Sequence, residues 1–252
     1  MFNQMMRNIE YGLMVAVSTM IAGKKVCSVC QKEVSYYKPY GIKLRMNAEC
    51  PYCKAAERDR IEVLYYRSQK NILGGGRQSQ VLHFAPEKCQ YRYFTQTMHL
   101  RENYWRVDID PSNRMCRQIV DITNIGFENN SFDLIICNHV LEHVEKVDKA
   151  IRELSRVLSK EGYAIIIVPV DEKHFTLESP SINTDILRIK YYGAANHVRM
   201  FGKDFKKILW EFGLEAKRIP AKLFLDKQSI REAGLKINEY FWLCKKLDKL
   251  DS

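Results

Sequence analysis

FDLIICNHVLEHVEKVDKAIRELSRVLSKEGYAIIIVPV, residues 132–170, holds the pattern on which the fold class turns. Its first six residues, Phe132 to Cys137, form a short, nearly continuous apolar run, too brief for a helix and typical of a strand buried on both faces. Val147, Ala150, Ile151, Leu154, Val157 and Leu158 then recur at intervals of three and four. That spacing places them in one stripe of a helix over about 147–158. Gly162 reads as the turn that closes this helix. A second apolar run at 163–168 reads as another buried strand. Strand, helix and strand in succession make a crossover unit, and such a unit lays its two strands parallel in one sheet.

The same alternation extends in both directions. Strands are predicted at about 80–84, 104–108 and 119–121 before this stretch, and at about 214–219 and 239–245 after it. A helix over about 203–212 buries Phe205, Ile208, Leu209 and Phe212 and stops at Gly213. The expectation is an α/β domain over residues 80–252 built on a seven-stranded, mostly parallel sheet with helices on both faces. A chain of 252 residues, 46% of them hydrophobic, has the material for one such core and a small additional module.

In an open sheet of this kind ligands bind beyond the carboxyl ends of the strands, so the residues that follow each strand are the candidates. VLHFAPEKCQ, residues 81–90, is a strand-to-helix turn with no glycine. Ala85 is the next smallest residue, Pro86 suits the first position of a helix, and Glu87 suits its first turn. Asp108 and Asp121 follow two neighbouring strands. One carboxylate can accept from both ribose hydroxyls and another from an adenine amino group, so the pair fits an adenosine ligand. Read singly, each is equally a loop or cap aspartate.

Four of the eight cysteines fall as Cys27-Ser-Val-Cys30 and Cys50-Pro-Tyr-Cys53, with 19 residues between the pairs. Two such knuckles brought together by a short hairpin give four thiolates converging on one ion, so a structural zinc module is expected over 24–56. A four-thiolate site also takes iron. The remaining cysteines, Cys89, Cys116, Cys137 and Cys244, are scattered singly, which suits a reducing, cytoplasmic setting. A linking helix and a linker at Gly74–Gly76 are expected over 57–79, with Ile61, Leu64, Tyr65 and Ile72 on one helix side. The arginines at 58, 60 and 67 read as a solvated face, or as groups that touch substrate.

LMVAVSTMIAG at 13–23 falls short of the ~20 residues a membrane span needs. Glu10, Lys24 and Lys25 argue against a signal peptide. Residues 1–23 therefore read as an apolar helix packed on the protein or on a membrane surface. Lysine and arginine outnumber the acids by 40 to 30 without any run of five, so a nucleic-acid partner is open but not favoured.

Residues 132–170 resemble the middle of a class I S-adenosylmethionine-dependent methyltransferase of the "type 11" kind, and DITNIGFENNSFDLI just before them resembles its acidic-residue, turn and F-D-x-I pattern. CPYCKAAERDR, VLHFAPE and YYGAANHVRMFGKDF together resemble a bacterial subgroup with a cysteine knuckle, a zinc-ribbon module, ahead of a Rossmann-like domain. The resemblance implies methyl transfer with S-adenosyl-L-methionine as cofactor. It places the ribose on Asp108 with Ile109 beside it and the adenine on Asp121 and Ile122. The methionine end falls against His83, Phe84, Ala85, Pro86, Glu87, Asn138 and His139. The chain departs from the superfamily where an acid and several glycines usually follow the first strand.

A base is needed only if the acceptor must lose a proton. His139, His143, His174 and His197 are the candidates. His197 is read as the general base, with His139 as the other catalytic candidate, and His143 as a structural residue. Arg199 is read as the ligand of an anionic part of the acceptor. Tyr191 and Tyr192 line the acceptor pocket or pack in the core. The subgroup resemblance implies a small-molecule or sugar acceptor, in surface polysaccharide assembly. Two alternatives stand beside it: an RNA methyltransferase whose zinc module grips RNA, and a non-catalytic binding protein with a degenerate cofactor site. The sequence leaves the acceptor atom and the oligomeric state open.

Overall fold

The computed structural model describes residues 2–20, 25–42, 44–69, 72 and 79–247. The linker expected at Gly74–Gly76 lies outside them. Seven strands form one sheet: β1 (Val81–Phe84), β2 (Tyr104–Asp108), β3 (Gln118–Ile119), β4 (Phe132–Asn138), β5 (Leu158–Ile167), β6 (Leu214–Pro220) and β7 (Tyr240–Lys246). Their spatial order is β6-β7-β5-β4-β1-β2-β3. The pairs β1–β2, β2–β3, β1–β4 and β4–β5 are parallel, and β7 runs antiparallel to β5. This is a Rossmann-like sheet. Its order reverses between β1 and β4, and a crevice opens there beyond the strand ends.

Leu134, Ile135 and Ile136 of β4 and Ala164, Ile165 and Ile166 of β5 are wholly buried, which is why both stretches read as unbroken apolar runs. Each such aliphatic side chain contributes roughly 1.5–3 kcal/mol on burial. The helix between them spans Val147–Val157, and Ala150, Ile151, Leu154 and Val157 of its stripe are buried. Gly162 is not a turn residue. It lies inside β5, which starts directly at Leu158. A Cβ there would come within 3.0 Å of the Asp133 carbonyl, so close approach of two strands explains the glycine.

The connection from β5 to the helix Phe205–Glu211 holds structure of its own. A helix spans Asp185–Tyr192, capped by the Thr184 hydroxyl and ended by Gly193 at φ 90°. Val170–Asp171 pairs parallel with Phe201–Gly202. The two ends of the connection are thereby tied together.

By contacts the chain forms two compact units. One comprises Met1–Gln69, Lys88–Tyr93 and Ile219–Tyr240; the other comprises Lys70–Glu87, Phe94–Arg218 and Phe241–Ser252. The first holds an N-terminal helix, Phe2–Met20, two small antiparallel ribbons and a helix over Glu57–Ser68. Among the described residues no helix is long and apolar enough to cross a membrane. In the helix 57–68, Ile61 and Tyr65 are buried as expected, but so are Glu57, Asp59, Arg60 and Glu62. Arg60, expected on a solvated face or on substrate, is fully buried against backbone carbonyls of its own unit.

Candidate functional site

Beyond the carboxyl ends of β1 to β4, within the sheet-bearing unit, lies a pocket of about 660 Å³. That size suits a cofactor-scale ligand. Seven residues expected to hold the cofactor reach it: Phe84, Ala85, Asp108, Ile109, Asp121, Ile122 and His139. Asp108 ends β2, and its two carboxylate oxygens accept from the Asp110 N–H and from Asn113 Nδ2 at 3.1 and 2.8 Å. These local bonds fix the carboxylate and leave further lone pairs for a ligand. Asp121 accepts from both the N–H and the hydroxyl of Thr123 through Oδ1, so its orientation is fixed while Oδ2 is left for a ligand.

The glycine-free turn achieves with alanine what glycine usually does. Ala85 sits at φ 47°, in the left-handed region, held by its N–H on the Val107 carbonyl at 2.8 Å. His139, at the corresponding end of β4, has φ 52° and donates its N–H to the Ile167 carbonyl. Two non-glycine residues in this conformation, side by side at the switch point, mark strain held at a site. Ala85→Gly should therefore raise stability by about 0.5–1 kcal/mol, because removing a strain of roughly 1–2 kcal/mol for a Cβ at positive φ outweighs the roughly 0.4–1 kcal/mol of added freedom in the unfolded chain. Urea denaturation measures it. A loss of stability would show that packing of the Ala85 methyl outweighs the backbone strain.

The four other residues expected to hold the cofactor do not line the pocket. His83 is wholly buried, with Nδ1 2.7 Å from the Tyr104 hydroxyl and Nε2 3.5 Å from Glu87. His83 and Glu87 thus brace the turn from beneath, and Pro86 is buried beside them. Asn138 is buried at the end of β4. Tyr192 is also a core residue: its hydroxyl accepts from the Ser179 N–H at 2.9 Å. Tyr191 is exposed, and neither tyrosine is among the pocket-lining residues.

Arg199 is not an acceptor ligand. It is 1% exposed and every N–H of its guanidinium is engaged. It forms a bidentate pair with Glu178 at 2.8 and 3.0 Å and donates to the carbonyls of Leu141, Val144 and Glu145. It pins the loop around residue 197 to the turn that follows β4, and the Val198 N–H on the Glu142 carbonyl adds to this. The result is a cluster that spacing along the chain did not disclose. His143, read as structural, lines the pocket together with Asn196 and stands 4.8 Å from the His197 ring, centroid to centroid. His139 Nδ1 lies 3.0 Å from Glu142 Oε1, and Glu142 is buried. Burial, the largest influence, lowers the pKa of His197 from its ordinary value. His174 is exposed and paired with Asp171.

In the other unit the four knuckle cysteines come together. Cys27 and Cys53 Sγ atoms are 3.6 Å apart, Cys30 and Cys50 3.9 Å. Four sulfurs at the corners of a tetrahedron with 2.3 Å zinc bonds stand about 3.8 Å apart, so the donor set fits zinc, and these gaps are far too long for disulfides. The knuckles are alike: Gln31 and Lys54, each following the second cysteine, have φ 59° and 68°. Each also returns its N–H to the carbonyl of the first cysteine.

Residues 89–166 match the methyltransferase domain family. An uncharacterized methyltransferase of Bacillus subtilis is 29% identical over 76 residues, which are 30% of this chain and 28% of that protein. An uncharacterized protein of Methanocaldococcus jannaschii is 42% identical over 48 residues, 19% of this chain and 21% of that protein. The chain thus spans only about a quarter of the length of these curated relatives. A solved structure from Galdieria sulphuraria, described provisionally as a sarcosine dimethylglycine methyltransferase, superposes with a TM-score of 0.50 at 18% identity. The superposition covers 77% of this chain and 87% of that one. At that identity the likeness is one of fold. The matched family segment includes β2 to β4 and most of β5, and the cysteine knuckles lie outside it.

Proposed function

We propose that the protein is an S-adenosylmethionine-dependent methyltransferase. The observation that carries this reading is the pair Asp108 and Asp121, on neighbouring strand ends and facing one pocket at the switch point of the sheet. In this reading Asp108 accepts from the ribose hydroxyls, Asp121 accepts from the adenine amino group, and Ile122 packs against the base. The backbone at Phe84–Ala85 and at His139 faces the methionine end. The cofactor supplies a methyl group on a positively charged sulfur, open to in-line attack by a nucleophilic acceptor. What the chain contributes is alignment of the two reactants and exclusion of water.

Acceptor chemistry falls to the wall of the pocket formed by His139, His143 and Asn196. In this reading His139, half-exposed and hydrogen-bonded to Glu142, takes a proton from an acceptor in the pocket. A small molecule or a sugar suits a pocket of this volume, and the surface-polysaccharide setting rests on the subgroup resemblance alone. The zinc on the four cysteines belongs to this reading as a structural ion, since a site closed by four thiolates keeps no open position.

The test is calorimetric titration of the metal-loaded chain with S-adenosylhomocysteine, repeated on Asp108→Ala. Micromolar binding to the wild type and at least about a tenfold loss in the variant are expected, because a bidentate carboxylate contact to ribose is worth about 1.5–3 kcal/mol. Absence of binding to the folded wild-type chain would sink the proposal and favour a binding protein with a degenerate pocket.

A further inference from the structure

Glu142, His143 and His197 present one donor atom each within 4.8 Å of one another. Three details make this more than a chance meeting of polar groups. First, both imidazoles use Nδ1 on a backbone carbonyl: His143 on Asn196 at 2.9 Å, and His197 on Tyr192 at 2.9 Å. A carbonyl only accepts, so Nδ1 carries the proton and each Nε2 keeps its lone pair, which is the arrangement that orients metal-ligating histidines. Second, Glu142 is 1% exposed and its Oε2 is buried without a hydrogen-bond partner, while Oε1 faces His139. An unpartnered buried carboxylate oxygen is costly, and a cation removes that cost. Third, the two chain segments that bring the donors together are clamped by Arg199, whose five N–H groups are spent on Glu178 and on the carbonyls of residues 141, 144 and 145.

We infer that Glu142, His143 and His197 bind a divalent first-row metal ion in the wall of the pocket. Two imidazoles and a carboxylate are the donor set of open catalytic sites, leaving coordination positions for an oxygen ligand. His143 and Asn196 line the pocket, so an acceptor hydroxyl entering it meets the ion. An oxygen bound to the metal loses its proton more readily, so the acceptor class is a hydroxyl-bearing molecule. His197 Nε2 is then a ligand, not the general base, because one lone pair cannot serve both. Arg199 is a positioning residue for the site.

The acceptor role rests on the proposed methyltransferase reading; the metal site itself does not. The experiment uses the full chain with zinc retained on its cysteines. Mn(II) alone is titrated and followed by the electron paramagnetic resonance of the free ion, a hard cation that the thiolates do not compete for. One Mn(II) per chain is expected for the wild type. Glu142→Gln and His197→Ala should each weaken it by at least about tenfold, since loss of even an outer-shell partner costs a metal site about 10–100-fold. Should one variant fail to fold, His143→Asn makes the same comparison. No Mn(II) bound by the wild type, or binding unchanged in the folded variants, overturns the inference. Titration of the same samples with S-adenosylhomocysteine keeps the two readings apart. Nucleoside binding without Mn(II) overturns the metal site and leaves the cofactor reading standing. Mn(II) binding without the nucleoside supports the metal site and removes the cofactor reading.

Discussion

Removal of the proposed zinc ion from the four cysteines is expected to unfold the two ribbons beside them. The two ribbons beside the knuckles are only two to five residues long per strand, Lys25–Val26 with Glu33–Val34 and Lys38–Tyr40 with Arg45–Glu49. Ribbons of that length do not hold themselves in water. In the proposed reading what fixes them is one zinc ion shared by Cys27, Cys30, Cys50 and Cys53, whose sulfur atoms all lie within 4.8 Å of one another. A structural zinc site supplies binding free energy on the order of 10–16 kcal/mol in peptides at neutral pH, far more than such ribbons can replace. A strong chelator, or Cys50→Ser, should therefore abolish amide protection across residues 25–56, measured by hydrogen exchange, and release about one zinc per chain. Protection that survives quantitative removal of the metal would show that the module stands on its own packing.

Arg60→Met is the second large effect. The Arg60 side chain is fully buried, and all five of its N–H groups donate to backbone carbonyls of the same unit: Nε to Ala233, Nη1 to Ala48 and Ala55, Nη2 to Asn47 and Gly234. Its guanidinium also stacks 4.0 Å from the centroid of the Tyr37 ring. Removing the fork leaves several buried carbonyls without donors, at roughly 1–3 kcal/mol for each that water cannot reach. A loss of about 3–5 kcal/mol is expected in urea denaturation. Arg60→Lys should recover little of it, because an ammonium has three donors and no planar fork to span five acceptors. A loss below about 1 kcal/mol in Arg60→Met would mean that water replaces the guanidinium, and that the clamp is not what joins residues 47–55 to 233–234.

Arg60 and Arg199 show where reading the chain alone runs out. Each was expected to touch substrate or solvent, and each spends a full set of donors on distant parts of the chain. An arginine in a sequence looks the same whether its partners are water or carbonyls far along the chain. The same holds for His143, whose neighbour His197 arrives on a segment more than fifty residues later and was invisible to spacing. The glycine-free turn was read from residue size and from the fit of Pro86 and Glu87 to a helix start. That Ala85 itself takes the left-handed conformation is set by its neighbours and is not written in its residue type.

What the amino-acid sequence determined was whatever depends on local period and short spacing. Alternating apolar runs specified the helix Val147–Val157 and the strands to within about two residues, except the start of β5 at Leu158 rather than near 163, because burial imposes its period on the chain. The two C-x-x-C pairs specified a four-sulfur centre, since a knuckle of four residues already sets two ligands on one point. The aspartates after β2 and β3 were legible because strand ends are where an open sheet binds. Only the tertiary structure decided which polar side chains are buried and whom they meet. Hydrogen-bond partners, desolvation and the gathering of Glu142, His143 and His197 depend on contacts between segments far apart in sequence, and no periodic pattern along the chain encodes such a contact.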